Sequence, residues 1–354
     1  MSKQVKYQVT IKFLWANVEH ALGKKDVPRY LGKGAKDKIT FFKKKIVMDL
    51  TRSNEYSEED ILSNSNNTIN SQIIKSLMLY YANAKSFPMI KSIECKRISP
   101  NPLTIFIKGV DEISQQFRIR MTRQETMHFI PQEEMYKESP LGNAERRALS
   151  HWLKALNVTD EYVKFNELWV AFNSLFAYYG NRKQERENLI YIREQIQNHE
   201  NLFPLSKGVV STYTEDKLRN AFRWMLLFSQ GINRGLDNFC NSLFAFRDDR
   251  ILRMFTSLIS SGRIHDKVTQ FGKYGDLQTH LNTLGVTKDI DIVLLLCIKY
   301  AYFLRNRYQH GIVIANNFKI KNTKDDIELP TINQLLTTLI LELLQVGDQI
   351  PCKP

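Results

Sequence analysis

Fifty Lys and Arg residues against 37 Asp and Glu give this 354-residue chain a formal charge of +13 and a pI near 9.4, the balance of a protein that meets polyanions. With 43% hydrophobic and 25% charged residues, its composition is that of a globular protein with room for two domains, which excludes a disordered or fibrous chain. The longest uninterrupted apolar run, Ile292 to Ile298, falls well short of the roughly 20 residues that span a bilayer. The N-terminal MSKQVKYQVTIKF lacks the apolar core of a secretory signal, and Cys95, Cys240, Cys297 and Cys352 form no CxxC pair. The expectation is a cytoplasmic protein in a reducing compartment, with no membrane partner.

The first third mixes β and α patterns. Val5, Tyr7, Val9, Ile11 and Phe13 alternate with polar residues, the period of a half-buried strand. Residues 39–50, 89–98, 103–108 and 116–121 are further β-like runs, the last two joined through Gly109 to Glu112 as in a hairpin. Ile69, Ile73, Ile74, Leu77, Met78 and Tyr81 recur at helical spacing, while the polar stretch from Thr51 to Thr68 suggests a surface loop. Charge concentrates here, with twelve basic residues against four acidic ones in the first fifty. Lys43, Lys44 and Lys45 are consecutive, and in a strand they cannot share one face. They read either as an RNA-binding or trigger-binding patch that includes Lys24 and Lys25, or as a strand edge protected from aggregation.

At Ser139-Pro140-Leu141-Gly142 the pattern changes, which suggests domains of 1–140 and 141–354: an α+β domain followed by an all-α bundle. A stripe of Phe165, Leu168, Trp169, Phe172, Leu175, Phe176 and Tyr179 ends at Gly180, and a polar helix follows from about Arg182 to Asn198. Helical patterns continue over 218–229, 236–246 and 251–260. A helix from Asp289 to about Gln309 is apolar on nearly all sides at its start, so it belongs at the centre of a bundle. A last helix, capped by Thr331, runs through Leu335, Leu339 and Leu343 to Gly347.

Phosphate-loop, dinucleotide-binding, nucleophile-elbow and HExxH motifs are absent, and the seven histidines do not pair at metal-ligand spacings, so no metal or other cofactor is expected. What stands out is Arg305-Asn306-Arg307-Tyr308-Gln309-His310-Gly311, where a buried apolar helix delivers polar groups and then meets a glycine. Arg brings a permanent charged fork suited to phosphate, and His exchanges protons near neutrality. Together they suit cleavage of an RNA phosphodiester: a base takes the 2′-hydroxyl proton, the freed oxygen attacks phosphorus, and Arg stabilises the equatorial oxygens. The same spacing recurs from Arg146 to His151, but that segment continues into Trp152 and Leu153 as an ordinary amphipathic helix. On a straight helix, residues five apart diverge by about 140°, so Arg305 and His310 meet at one phosphate only if the helix bends or a second chain contributes.

The Arg305-to-His310 segment, with its polar Asn306, resembles the RxxxxH signature of the HEPN ribonuclease superfamily. The segment from Phe165 to Asn173 is similar to the opening helix of the Apea-like prokaryotic members. The resemblance covers the part of the chain beyond Pro140 only. It implies a metal-independent endoribonuclease that leaves a 2′,3′-cyclic phosphate, with His310 as acid/base, Arg305 as clamp, Asn306 as its orienting partner and Arg307 on the RNA. It also implies a homodimer with a composite site, and the setting of a bacterial toxin or antiphage effector that answers to an antitoxin or phage-derived trigger. The alternative it allows is a non-catalytic RNA-binding or regulatory HEPN protein; a catalytic first domain carried by a dimerising bundle is a third reading.

Overall fold

A computed structural model describes residues 4–15, 23–28, 36–63, 67–84, 87–113, 133–230, 234–260, 265–309 and 325–353. The chain divides into two compact units, Met1–Thr159 with Asn173–Tyr178, and Asp160–Phe172 with Tyr179–Pro354.

In the first unit, strands β1 (Val5–Phe13), β2 (Gly23–Pro28), β3 (Lys36–Phe41), β4 (Lys45–Arg52), β5 (Ile90–Ser99) and β6 (Leu103–Gly109) form one sheet in the order β2-β3-β4-β1-β5-β6, with every pairing antiparallel. The alternation in β1 places Tyr7, Val9 and Ile11 opposite Leu50, Met48 and Ile46 of β4 on one fully buried face. Helix α1 (Glu58–Leu62) is short, and α2 (Thr68–Asn83) covers that face. The ring of Tyr80 stacks on Phe13 at 4.0 Å and Ser76 Oγ lies 3.5 Å from Met48 Sδ.

A buried ion pair ties the helix to the sheet. Arg52 holds Asp37 through two bonds of 2.8 and 2.9 Å, donates from Nε to Thr68 Oγ1 at 2.7 Å, and shares Asp37 with Gln72 Nε2 at 3.3 Å. Both charged residues lie on the apolar face, at 0% and 3% exposure, and their forked geometry satisfies charges that burial would otherwise penalise.

Several expectations change. The β-like run 39–50 is two strands joined by a two-residue turn at Lys43 and Lys44, with Phe42 N donating to Lys45 O at 2.8 Å. The loop expected from Thr51 to Thr68 contains the end of β4 and α1, because Ser57 and Asp60 form a capping box that organises Glu58–Leu62. β2 was not foreseen, β6 pairs with β5, and the run 116–121 lies outside the described residues. Pro140 starts a helix: Ser139 Oγ accepts from Gly142 N at 3.0 Å, and Pro occupies the first turn of α3 (Pro140–Leu156), where its missing N–H costs nothing. Because Arg146 of α3 bonds the carbonyls of Met135 and Lys137, and Lys75 of α2 reaches Tyr136 O and Glu138, α3 belongs to the first unit and the division falls at Thr159 instead of 140.

Helix α4 (Glu161–Gly180) follows, and the described residues beyond it are mostly helical: α5 (Glu185–Asn198), α6 (Pro204–Val210), α7 (Glu215–Ala221), α8 (Trp224–Gln230), α9 (Arg234–Leu243), α10 (Asp249–Ser260), α11 (His265–Thr269) and α12 (Tyr274–Leu281). The helix expected over 218–229 is broken at Phe222 and Arg223, where the backbone N–H of Arg223 donates to Tyr300 Oη at 2.8 Å and Trp224 Nε1 folds back to Leu218 O at the same distance. The central helix comprises α13 (Asp289–Leu294), a π-helical turn (Leu295–Tyr300) and α14 (Ala301–Gln309). From Ile290 to Ala301 every residue except Lys299 is buried. Helix α15 (Asp325–Val346) is also packed on all sides, with Leu335, Leu336, Leu339, Ile340, Leu341 and Leu343 at 0% exposure. Thr331 is not its cap; the helix already runs through Pro330, and Thr331 Oγ1 bonds back to Ile327 O at 3.2 Å. It ends at Gly347, whose φ of 53° suits glycine. The stretch Ile327–Gln349 has the length and mean hydropathy to cross a membrane, which no apolar run announces; 78% of its most apolar 18 residues is buried in the fold.

Removing one member of the buried pair leaves the other charged and unpaired. Asp37→Ala is expected to destabilise the protein by about 3–5 kcal/mol in urea denaturation, and Asp37→Leu with Arg52→Met by much less. An unchanged midpoint in Asp37→Ala contradicts the role given to this pair.

Candidate functional site

The end of the central helix is held in place by two others. Tyr308 of α14 meets the rings of Tyr162 and Phe165 on α4 edge-on at 4.7 and 5.8 Å, and Tyr302 lies 6.1 Å from Trp169 of the same helix. α4 therefore fixes the rotation of α14 through the aromatic stripe that the sequence shows.

On its other side α14 meets α5, which runs antiparallel to the central helix. Gln197 at the end of α5 donates to Asp291 Oδ1 at 2.9 Å, and Glu185 at its start pairs with Arg305. The tight α4–α5 connection sets this register. Asn181 takes a positive φ of 46°, and a Cβ on Gly180 would stand 2.6 Å from Asn188 Cα. The Asn188 side chain accepts from Arg182 N at 2.9 Å and donates to Arg182 O at 3.0 Å, locking the turn.

Arg305 sits where these constraints converge. Its Nη1 donates to Asn306 Oδ1 at 3.0 Å and lies 3.5 Å from Glu185 Oε2, while its Cζ stands 5.8 Å from the centre of the Tyr302 ring. The side chain is 23% exposed, and Nε is buried with no hydrogen-bond partner among the described residues. A guanidinium fixed on two sides and open on a third has donors to spare for an anion. The Glu185 pair does not block this, since a partly exposed contact of that length is worth about 0–1 kcal/mol.

Arg307 is placed differently. It is 8% exposed, its Cζ lies 5.6 Å from the Phe303 ring, and Nε and Nη1 have no hydrogen-bond partner among the described residues. Two residues along a helix is about 200° of rotation, so Arg305 and Arg307 point away from each other, and the expected RNA contact at Arg307 is not on the accessible surface. His310 lies outside the described residues. Lys43 and Lys44 are exposed in the β3–β4 turn of the first unit and Lys45 is exposed as the first residue of β4, with its Nζ 4.8 Å from the centre of the exposed Phe42 ring; with only one of the three in a strand, the strand-face conflict does not arise.

Sequence reasoning passed over Glu185, Tyr302 and Lys299. Glu185 is 120 positions from Arg305, a pairing no local pattern announces. Lys299 did leave a signal, as a single charge interrupting an apolar helix. Burial, then the neighbouring charges of Arg193 and Arg186, pull its ammonium down to about 8.

Other chemistry is sparse. Burial pushes the thiols of Cys95 and Cys240 up to about 12, so they stay protonated and inert. Among the described residues no group of three His, Cys, Asp or Glu side chains is arranged to hold a metal ion. A cleft of about 430 Å³ on α10–α12 is lined by His265, Tyr274 and Gln278, with Gln278 Nε2 donating to Tyr274 Oη at 2.9 Å. Comparison with family models, with curated proteins and with solved structures yields no match.

Because Arg307 is buried with unfilled donors, Arg307→Met is expected to leave the melting temperature unchanged or raise it, and to leave RNA affinity within twofold of the original chain in a filter-binding assay. A tenfold loss of affinity in a folded Arg307→Met variant contradicts the placement.

Proposed function

We propose that the chain is a metal-independent endoribonuclease of the HEPN type. The observation that carries the reading is the state of Arg305: a guanidinium at the end of a largely buried helix, steered by Asn306 and Glu185, faced by Tyr302, and still 23% exposed. That is the preorganised, charged fork a pentacoordinate phosphate needs, and a helix core supplies rigidity that a surface loop does not.

In this reading the neutral imidazole of His310 accepts the proton of a ribose 2′-hydroxyl. The 2′-oxygen attacks the adjacent phosphorus, the bond to the 5′-oxygen breaks, and that oxygen takes a proton from an imidazolium. The products are a 2′,3′-cyclic phosphate and a 5′-hydroxyl. Arg305 stabilises the charge on the non-bridging oxygens, and Asn306 keeps its fork aligned. α14 is regular from Ala301 to Gln309, so a five-residue spacing places the two groups on diverging sides unless the chain turns at His310. A two-fold dimer resolves the geometry by letting the Arg of one protomer and the His of its partner share a cleft, with one imidazole to accept and another to donate. The biological setting that accompanies this chemistry is a toxin or antiphage effector, with the sheet domain receiving an antitoxin or a phage-derived trigger.

The test is cleavage of single-stranded RNA in EDTA. Arg305→Ala and His310→Ala are each expected to lower the rate by about 10²–10⁴-fold with the fold and dimer intact, and Arg305→Lys to fail as well, since an ammonium lacks the planar fork. Unchanged cleavage in either alanine variant overturns the assignment.

A further inference from the structure

Between the Gln197–Asp291 contact at one end and the Glu185–Arg305 contact at the other, the seam of α5 and the central helix collects cations. Arg186 and Arg193 come from α5, seven residues apart and so about two turns along one face. Lys299 comes from the π-helical turn and is the one residue between Ile290 and Ala301 that is not buried. Arg193 spends one nitrogen on Glu194 at 3.2 Å, and its buried Nε has no partner among the described residues. Among the described residues neither Lys299 nor Arg186 has an ion-pair partner; Asp291 is occupied by Gln197 and by the backbone N–H of Arg247. The lowered pKa of Lys299 reports the same crowding, with burial as its first cause and Arg193 and Arg186 as the next.

Like charges brought together on a rigid seam raise the energy of the empty protein and call for an anion. The neighbouring residue says which. Tyr302 stands one turn beyond Lys299 and one turn before Arg305, half-exposed, with the Arg305 guanidinium at its face. An aromatic ring between cations spaced along a helix is the arrangement that holds a single strand, taking phosphates on the charges and a base on the ring. From Lys299 to Arg305 the helix rises about 9 Å, enough for adjoining nucleotides.

We propose that this seam is a single-stranded RNA subsite, in which Lys299 and Arg186 hold a backbone phosphate and Tyr302 stacks the adjoining base beside Arg305. It deepens the ribonuclease reading and rests on it for the identity of the strand. Arg193, more deeply set, supports the charge of the subsite without facing solvent to the same degree. The separate lysines of the β3–β4 turn play no part in it.

The test is fluorescence anisotropy with a labelled 2′-O-methyl oligoribonucleotide, which lacks the attacking hydroxyl and is held without being cut, titrated into the full chain from 50 to 300 mM KCl. Arg186→Gln is at an exposed position and Lys299→Met keeps the buried stem, so both variants fold, which melting curves check. The pair together is expected to weaken binding about tenfold or more at 100 mM and to reduce the slope of log K against log salt by roughly 1.4, the share of two single-strand phosphate contacts. Tyr302→Leu is expected to weaken binding about five- to tenfold with no change of slope, because stacking carries no counterion release. Cleavage of the unmodified oligonucleotide by the original chain is read in parallel. Original affinity and slope in the folded double variant overturn the subsite, and if cleavage persists the ribonuclease reading stands without it. Binding that responds to the variants with no cleavage in the original chain sinks the ribonuclease reading and leaves the subsite. Absence of binding by the original chain overturns both.

Discussion

A helix enclosed on every side has nowhere to put a charge except where it breaks surface. From Ile290 to Ala301 the central helix of the second unit is buried at every position but Lys299, and an uncompensated charge in such an interior costs several kcal/mol. Asp291 is tolerated because Gln197 and the backbone N–H of Arg247 satisfy its oxygens, and burial still raises its pKa. The remaining charged groups of the helix are displaced to one half-buried lysine and to Arg305 and Arg307. The core thus decides where chemistry can occur before any functional residue is chosen.

The neighbours of that helix convert location into orientation. α4 turns α14 by packing Tyr162, Phe165 and Trp169 on Tyr308 and Tyr302, and α5 pins its other side through Glu185. Each contact is modest alone: an aromatic pair adds about 0.5–1.5 kcal/mol beyond its buried area, and the Glu185–Arg305 pair at most about 1. Their combined effect is angular. Arg305 is left partly exposed, while Arg307, two positions on, is turned into the protein. The first unit solves its own version of the problem with the Arg52–Asp37 fork on the apolar face of the sheet, where each charge is the other's solvent.

Much of this was legible where one physical signal dominates. Alternation identified β1, because one face of the sheet is buried and the other wet; enclosure identified the central helix, because no polar face interrupts Ile292 to Ile298. The sequence misled where signals were local and quiet. Lys43 and Lys44 turn the chain with no glycine or asparagine, so β3 and β4 read as one run. Ser57 and Asp60 cap a helix inside a stretch whose polarity suggests a loop, and Pro140 marks a helix start that resembles a domain break. At the site, Arg305 and Asn306 adjoin and were visible together, whereas Glu185, Arg186 and Lys299 depend on how α5 lies along the central helix, a long-range register that no periodicity encodes.

The central claim is that this helix end cuts RNA through its own 2′-hydroxyl, and the ends of the products carry the record of that step. Mass spectrometry of a defined oligoribonucleotide incubated with the protein in EDTA is the most direct measurement. The account predicts fragments ending in a 2′,3′-cyclic phosphate, partners beginning with a 5′-hydroxyl, and no cut at any position made 2′-deoxy. Fragments with a 3′-hydroxyl and a 5′-phosphate, or cutting that persists through a 2′-deoxy position, would contradict it.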